Sequence, residues 1–485
     1  MTGIKKTRRE FLEDTLLAAA AAAGTLPLVG CQGTGRNQAP APTEKPTSKP
    51  SKDVIRMGVI GVRGRGRAHV GAWKKSPDAR VVAICDPDSA VIGGAMRAVP
   101  DAAYYKDLRK MLENPEIDAV SIATPNHWHS LATLWALQAG KHVFVEKPVS
   151  HDLHEGRLVV DAARSTGLIV QHGTQSRSTK ATIDAMAWLH SGGLGKVKIA
   201  RGLCYKRRKS IGKVLGDQQP PATCDYNLWI GPSPMVPLHR EHLHYDWHWD
   251  FHTGNGDLGN QGVHQMDIAR WGLGMDRLPD RVVSLGGRLG YDDDGNTPNT
   301  LISQYDYGDQ QIIFEVRGLK TGPYRTAHIG VVFHCEHGYL VSTAYTKAVA
   351  FDLDGKVIRT FTGGGNHWQN FLDAVKNNDT SIQDAPILEG HLSAGLCHLG
   401  NISYLLGREE TLSSTDDPFG DREAANETFR RMKKHLTDNG LDAAKTVYEM
   451  GPTLAFDPKT ERFTGERAEH ANALLHRPMR KGFTV

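Results

Sequence analysis

The stretch Gly58-Val59-Ile60-Gly61-Val62-Arg63-Gly64-Arg65-Gly66 runs a short apolar strand into a glycine-rich turn and then a helical pattern. The next apolar run, Val81-Val82-Ala83-Ile84-Cys85, ends on Asp86. Strand, turn, helix, strand and carboxylate in this order are the parts of a dinucleotide site. Glycines let the backbone turn tightly and lie close to a pyrophosphate, and a helix N-terminus turns unpaired N–H groups toward it. An acidic side chain about 20 residues after the last glycine takes the adenosine ribose hydroxyls. In G-x-G-x-x-G register the middle glycine falls on Arg63, with Gly64 beside it. The turn is therefore expected to shift by one residue, or Arg63 or Arg65 to contact a phosphate. Gly61, Arg63, Gly64, Arg65, Gly66 and Asp86 are read as cofactor-binding, with NAD favoured by Asp86 and NADP left open by the arginines.

Outward from this turn, apolar runs at Ile55–Val62, Val81–Cys85, Ala119–Ala123, Val143–Val145 and Leu168–Val170 alternate with helical patterns such as Leu131–Ala139 and Leu153–Ala163. That alternation predicts an α/β, doubly wound parallel sheet over 53–172. After about Gly173 the pattern changes. A helix at Thr182–His190 and a strand at Val197–Tyr205 precede a long aromatic, His-rich loop and a helix opening near Asn260. Strand-like runs follow at Val282–Leu285, Leu301–Tyr305, Gln311–Val316, His328–Phe333 and Tyr339–Val341, with helical spacing again at Trp368–Val375 and Leu392–Leu406. Residues 173–410 are read as an α+β domain with a large, mostly antiparallel sheet, and 411–485 as a polar, wrapping C-terminal extension.

The N-terminus reads as an address. Thr7-Arg8-Arg9-Glu10-Phe11-Leu12 has the twin-arginine pattern, Leu16 to Gly30 is alanine-rich and apolar, and Leu28-Val29-Gly30-Cys31 has the form of a lipobox. A Pro/Thr/Ser/Lys tether, 32–52, follows the 1–31 signal. Export in the folded state and membrane attachment by lipid on Cys31, at the periplasmic or outer surface, are expected. A net charge of +4 argues against nucleic acid as partner. The basic run Lys206-Arg207-Arg208-Lys209 reads as a solvated loop. Cys85, Cys204, Cys224, Cys335 and Cys397 form no CxxC pair and read as buried thiols.

Glu146-Lys147-Pro148 closes the strand Val143–Val145 at a carboxyl end, where ligands of such sheets sit. An ammonium at Lys147 can hydrogen-bond a substrate hydroxyl and stabilise a developing oxyanion, and Pro148 can hold a cis bond. Asn260-Gln261-Gly262-Val263-His264-Gln265-Met266-Asp267 reads as a helix start with Asn260 as N-cap and His264 one turn on, on the face that Asp267 extends. A helix N-terminus disfavours imidazolium, which leaves His264 a neutral base. Thr124-Pro125-Asn126-His127-Trp128-His129 follows another strand end and borders the same region. In His242-Leu243-His244-Tyr245-Asp246-Trp247-His248-Trp249-Asp250-Phe251-His252 the histidine spacing matches no metal-ligand motif, so no metal is expected and the segment, His248 included, reads as lining a sugar pocket.

These residues resemble the Gfo/Idh/MocA oxidoreductases, a family that includes glucose–fructose oxidoreductase and inositol dehydrogenase. The resemblance spans roughly 54–410 and rests on Gly58–Gly66 with Asp86, Ala123-Thr124-Pro125-Asn126 with His129, Glu146-Lys147-Pro148, and Asn260 to Asp267. It implies NAD or NADP on the first domain, contacted also by Thr124, Pro125, Asn126, His129, Glu146 and Lys147, and substrate over the sheet of the second. It implies Lys147 and His264 as a catalytic pair, with Lys147, Asn260, His264 and His248 toward substrate, and a homo-oligomer. Many relatives carry Asp where this chain has Asn260; an amide accepts no proton, so Asn260 is assigned an orienting role beside His264. The activity implied is oxidation or reduction at a secondary hydroxyl or ketone of a sugar, cyclitol or related polyol, with a cofactor that stays bound and is recycled by a second substrate. Two alternatives stand beside it: a redox-neutral NAD-dependent glycosidase resembling the α-N-acetylgalactosaminidases, and a non-catalytic sugar-binding lipoprotein.

Overall fold

The computed structural model describes Leu12 and residues 54–485. The rest of the twin-arginine leader, Cys31 and the tether lie outside the described residues. Six parallel strands form the first sheet: β1 (Ile55–Ile60), β2 (Ala79–Cys85), β3 (Ala103–Tyr105), β4 (Ala119–Ile122), β5 (His142–Val145) and β6 (Val170–His172), in the order β3-β2-β1-β4-β5-β6. β4 and β5 are buried at every residue, which is why they read as short uninterrupted apolar runs. α1 (Arg65–Lys75), α2 (Asn126–Gln138) and α3 (Leu153–Thr166) make crossovers. β3 has no counterpart among the expected strands: it is a three-residue, half-exposed edge strand, too short and too polar to show a period. α2 begins at Asn126 rather than near Leu131, because Pro125 sets the extended residue before its first turn.

The second sheet has twelve strands. β7 (Val197–Cys204), β8 (Arg281–Gly287), β9 (Thr300–Tyr307), β10 (Gln310–Arg317), β11 (Ile329–Cys335), β12 (Gly338–Ala344), β13 (Lys347–Phe351), β14 (Val357–Thr362), β15 (Arg408–Thr411) and β16 (Val447–Met450) run in the order β14-β13-β12-β11-β7-β10-β9-β8-β16-β15. β17 (Leu454–Asp457) and β18 (Arg462–Thr464) attach through β8. Every pairing is antiparallel except β7 with β10. The extension thus adds strands to the sheet as well as helix, a contribution its polar composition conceals.

α4 (Gly262–Leu273) and α5 (Ile387–Leu405), both almost wholly buried, fill the space between the second sheet and the nucleotide-type sheet. On the other face, α6 (Glu423–Asp438) sets Phe429 and Met432 against Val283, Ile302 and Ile313. The two sheets meet through one continuous apolar core, and α4, packed on β7 and α5, brings its first turn to the cleft at the carboxyl ends of β4 and β5. Among the described residues no helix is long and apolar enough to cross a membrane. The five cysteines expected as thiols are free and buried.

Candidate active site

A cleft of about 600 Å³ lies between the carboxyl ends of the parallel strands and the first turns of α4. The glycine turn forms one wall. Gly61 has φ +79°, and a Cβ there would sit 2.8 Å from the Ala123 carbonyl; at Gly66 it would sit 1.7 Å from the Gly61 carbonyl oxygen. Both glycines are therefore demanded by close packing of α1 onto the strand ends. The positive φ that follows falls at Gly64 (+55°), leaving Arg63 exposed, so the turn is shifted by one residue as the spacing predicts. α1 opens without a side-chain cap, and Gly64 and Arg65 at its start line the cleft.

Asp86 is buried at the far end of the same wall. Its carboxylate accepts from the N–H of Val62 at 3.0 Å and of Asp88 at 3.1 Å, and burial raises its pKa against those bonds. Arg63 donates to the His244 carbonyl at 3.2 Å. Arg65 donates to Glu146 at 2.7 Å and stacks over Trp368, so its guanidinium is committed within the protein. Glu146 also meets His69 Nε2 at 3.1 Å. Burial alone would raise Glu146, but His69 and Arg65 hold it well below the usual carboxylate range. His129 spans the Pro148 carbonyl (2.6 Å) and the Thr124 carbonyl (2.9 Å), which makes it a brace of the strand-end turns. Asn126 donates to Asn255 at 3.2 Å. Thr124 Oγ1 is buried without a hydrogen-bond partner, and Thr124, Pro125 and Asn126 all line the cleft.

Lys147, followed by a cis bond to Pro148, extends from the end of β5 into the centre of the cleft. Its Nζ donates to the Asn260 carbonyl at 2.7 Å and to Asn260 Oδ1 at 3.4 Å. Burial lowers the ammonium pKa; Glu146 opposes that, and Arg65, Lys206 and Arg208 add to it. Asn260 is not the N-cap that its residue type suggests. It ends a short helix, Gly256–Asn260, and Gln261 occupies the cap position of α4 without a side-chain bond. His264 lines the cleft opposite Lys147, edge-on to Tyr345 at 5.6 Å between centroids. Burial, then the Lys147 charge, hold its imidazole well below the ordinary 6.5, and Nδ1 has no hydrogen-bond partner. Asp267, one turn on from His264, does not line the cleft: it is fully buried with Arg177 and Ser393, where it ties α4 to α5.

His248 lines the cleft with its ring stacked on Trp247 at 3.7 Å, and burial lowers its pKa to about 3. The basic run is a loop but only partly solvated: Arg207 and Lys209 are exposed, whereas Lys206 and Arg208 turn inward. Lys206 enters the cleft and donates to Gln261 at 3.5 Å, and Arg208 pairs with buried Asp257 at 2.6 Å. Tyr345 carried no motif, and Gln261 and Lys206 lay inside the Asn260–Asp267 stretch and the basic run without a role assigned to either. The one available signal was the position of Lys206 just past the end of β7.

The uncapped helix start, the open face of Gly64, the Asp86 carboxylate and the orphaned Thr124 hydroxyl suit a dinucleotide lying along this cleft. The two sheets and the cleft between them define a two-domain α/β protein with a nucleotide site at its domain boundary. The chain belongs to the Gfo/Idh/MocA oxidoreductase family: the profile described as "Oxidoreductase family, NAD-binding Rossmann fold" matches residues 55–174, and its companion, "Oxidoreductase family, C-terminal alpha/beta domain", matches 189–438. It thus carries the family's NAD-binding domain.

Among curated proteins it is 35% identical over 175 residues to Glycosyl hydrolase family 109 protein 2 of Shewanella sp. (strain ANA-3), covering 33% of this chain and 37% of that one. It is 26% identical over 243 residues to the levoglucosan dehydrogenase of Pseudarthrobacter phenanthrenivorans, covering 47% and 54%. The matched stretches thus span from about a third to about half of these relatives' length. Levoglucosan dehydrogenase in complex with NADH shares the fold with TM-score 0.56 at 17% identity, over 72% of this chain and 96% of that chain. The WlbA dehydrogenase of Bordetella pertussis, solved with NADH and UDP-GlcNAcA, does so with TM-score 0.53 at 19% identity, over 72% and 95%.

Proposed function

We propose that the protein is an NAD-dependent oxidoreductase interconverting a secondary hydroxyl and a ketone on a sugar, cyclitol or related polyol. The observation carrying this reading is that Lys147 and His264, from separate halves of the chain, line one cleft with the glycine turn. NAD, when bound, supplies hydride acceptance and donation. Lys147 donates a hydrogen bond to the reacting oxygen and offsets negative charge growing there. The Asn260 carbonyl fixes the amine. His264, kept neutral by burial, takes the hydroxyl proton during oxidation and returns it during reduction. The stacked Trp247 and His248 rings present an apolar face on which a sugar ring can lie.

The reading is tested by mixing NAD-loaded protein with a panel of polyols and keto-sugars and following nicotinamide absorbance through one turnover. A change that Lys147→Met and His264→Ala both abolish is expected; no change with any of them refutes it. A second reading, a redox-neutral glycosidase, draws on the 35% identity to the Shewanella protein. It requires release of an aglycone without net NADH.

Export by the twin-arginine route with a lipid on Cys31 is part of the proposal and rests on the leader sequence. Outside the cytosol free NAD is scarce, so the cofactor stays bound and a second substrate restores its redox state. Metabolic labelling with a fatty acid, lost on Cys31→Ala, checks the anchor.

A further inference from the structure

Residues 223–249, from the C-terminal domain, lie across the dinucleotide end of the cleft and are pinned there from three sides. At the end of β2, the Ser89 N–H donates to the Thr223 carbonyl at 3.2 Å and the Asp225 N–H to the Pro87 carbonyl at 3.0 Å, flanking an antiparallel bridge between Asp88 and Cys224. Further along, His244 Nε2 lies 2.7 Å from Oδ2 of buried Asp88, and the His244 carbonyl accepts from Arg63 of the glycine turn. At the start of α2, the Trp229 carbonyl accepts from Trp128 Nε1 at 3.0 Å. The outer side of the segment is held by the C-terminus: Arg480 donates to the Gly231 carbonyl at 2.9 Å and to Asn227 at 2.6 and 2.8 Å. Leu228, Trp229, Tyr245 and Trp247 face the cleft.

We infer that residues 223–249 form a roof that completes the NAD site, with His244 on Asp88 as its latch and Arg480 as its outer brace, so that NAD leaves only when the roof lifts. The inference rests on the reading of the cleft as an NAD site. A nucleotide-binding sheet alone holds its ligand in a crevice open at the strand ends. Here the residue after Pro87, two beyond the ribose-facing Asp86, is bonded to the C-terminal domain. Water competes poorly with a hydrogen bond to a buried carboxylate, so the bond persists and slows opening. The expected consequence falls on the release rate rather than on encounter.

The test is exchange of bound radiolabelled NAD+ against excess unlabelled NAD+, using the full chain. The parent protein is expected to keep its label through gel filtration. His244→Ala and Arg480→Ala should each release it about tenfold faster or more, with the NAD-free protein still folded and melting in one cooperative step. His244→Gln, which can again donate to Asp88, should restore slow release. Should His244→Ala fail to fold, Arg480→Ala on the far side of the segment carries the same measurement. Stoichiometric NAD exchanging at the parental rate in the variants overturns the roof alone. A parent that binds no NAD overturns the nucleotide reading itself.

Discussion

Gly66→Ala puts the nucleotide turn to its most direct trial. The added Cβ would lie 1.7 Å from the Gly61 carbonyl oxygen, whereas a comfortable carbon–oxygen separation is roughly 3.3 Å. Strand end and helix must therefore part by roughly 1.6 Å. α1 cannot slide freely, because it buries Val70 and Trp73 in a cluster with Phe144 and Phe371. The overlap is relieved by deforming the turn, at a cost of about 3 kcal/mol. That energy corresponds to about a hundredfold loss of NAD affinity when it falls on the bound conformation. The assay is NAD titration followed by tryptophan fluorescence, since Trp128, Trp229 and Trp247 line the cleft, with a thermal melt alongside. Gly71→Ala, in the middle of the same helix with open space around it, is the control. It should bind NAD normally and gain about 0.5–1 kcal/mol of stability. If Gly66→Ala binds NAD within about threefold of the parent, close packing at this turn does not build the site.

Three further outcomes follow from the charges around the cleft and the sheet. Lys147→Met should lower kcat/KM for oxidation by about 10²- to 10³-fold. Because burial lowers the Lys147 pKa, the alkaline limb of the parent pH profile should begin below 10.5, and Lys147→Arg should remove that limb. His264 is held neutral well below 6.5, so oxidation should not decline between pH 8 and 6.5; a half-loss by 6.5 in a single-turnover pH series would contradict the base assignment. Burial pushes Glu315 up, but Arg431 and Arg317 hold its pKa at about 2 against the ordinary 4.5. This depressed carboxylate stabilises the fold above 4.5, and its contribution is lost as pH falls through the interval down to about 2. Glu315→Gln should cost about 3 kcal/mol at neutral pH by stranding the arginines, and should flatten the acid dependence of the melting temperature across that interval.

The legible part of this protein was local. The glycine turn, Asp86, the strand-end motif Glu146-Lys147-Pro148 and the helix of His264 were all read from spacing, because backbone turns and side-chain periods are properties of a few neighbouring residues. The strands that escaped notice were β3, β13, β14 and the pieces from 408 onward, which are short and lie at or next to a sheet margin. Asn260 misled for a related reason. Its type suits an N-cap, but its peptide carbonyl is used instead to hold Lys147, and no residue preference encodes that.

Spacing along the chain could propose an ammonium and an imidazole, and it did. Pairing is decided by the fold, because charges far apart in sequence choose partners only once a shared core brings them together. Arg65 on Glu146, Arg208 on Asp257, Arg177 on Asp267 and His244 on Asp88 are all of this kind. The basic run beginning at Lys206 and the His- and Trp-rich loop became cleft wall and roof for the same reason: burial between two sheets, which no local pattern records.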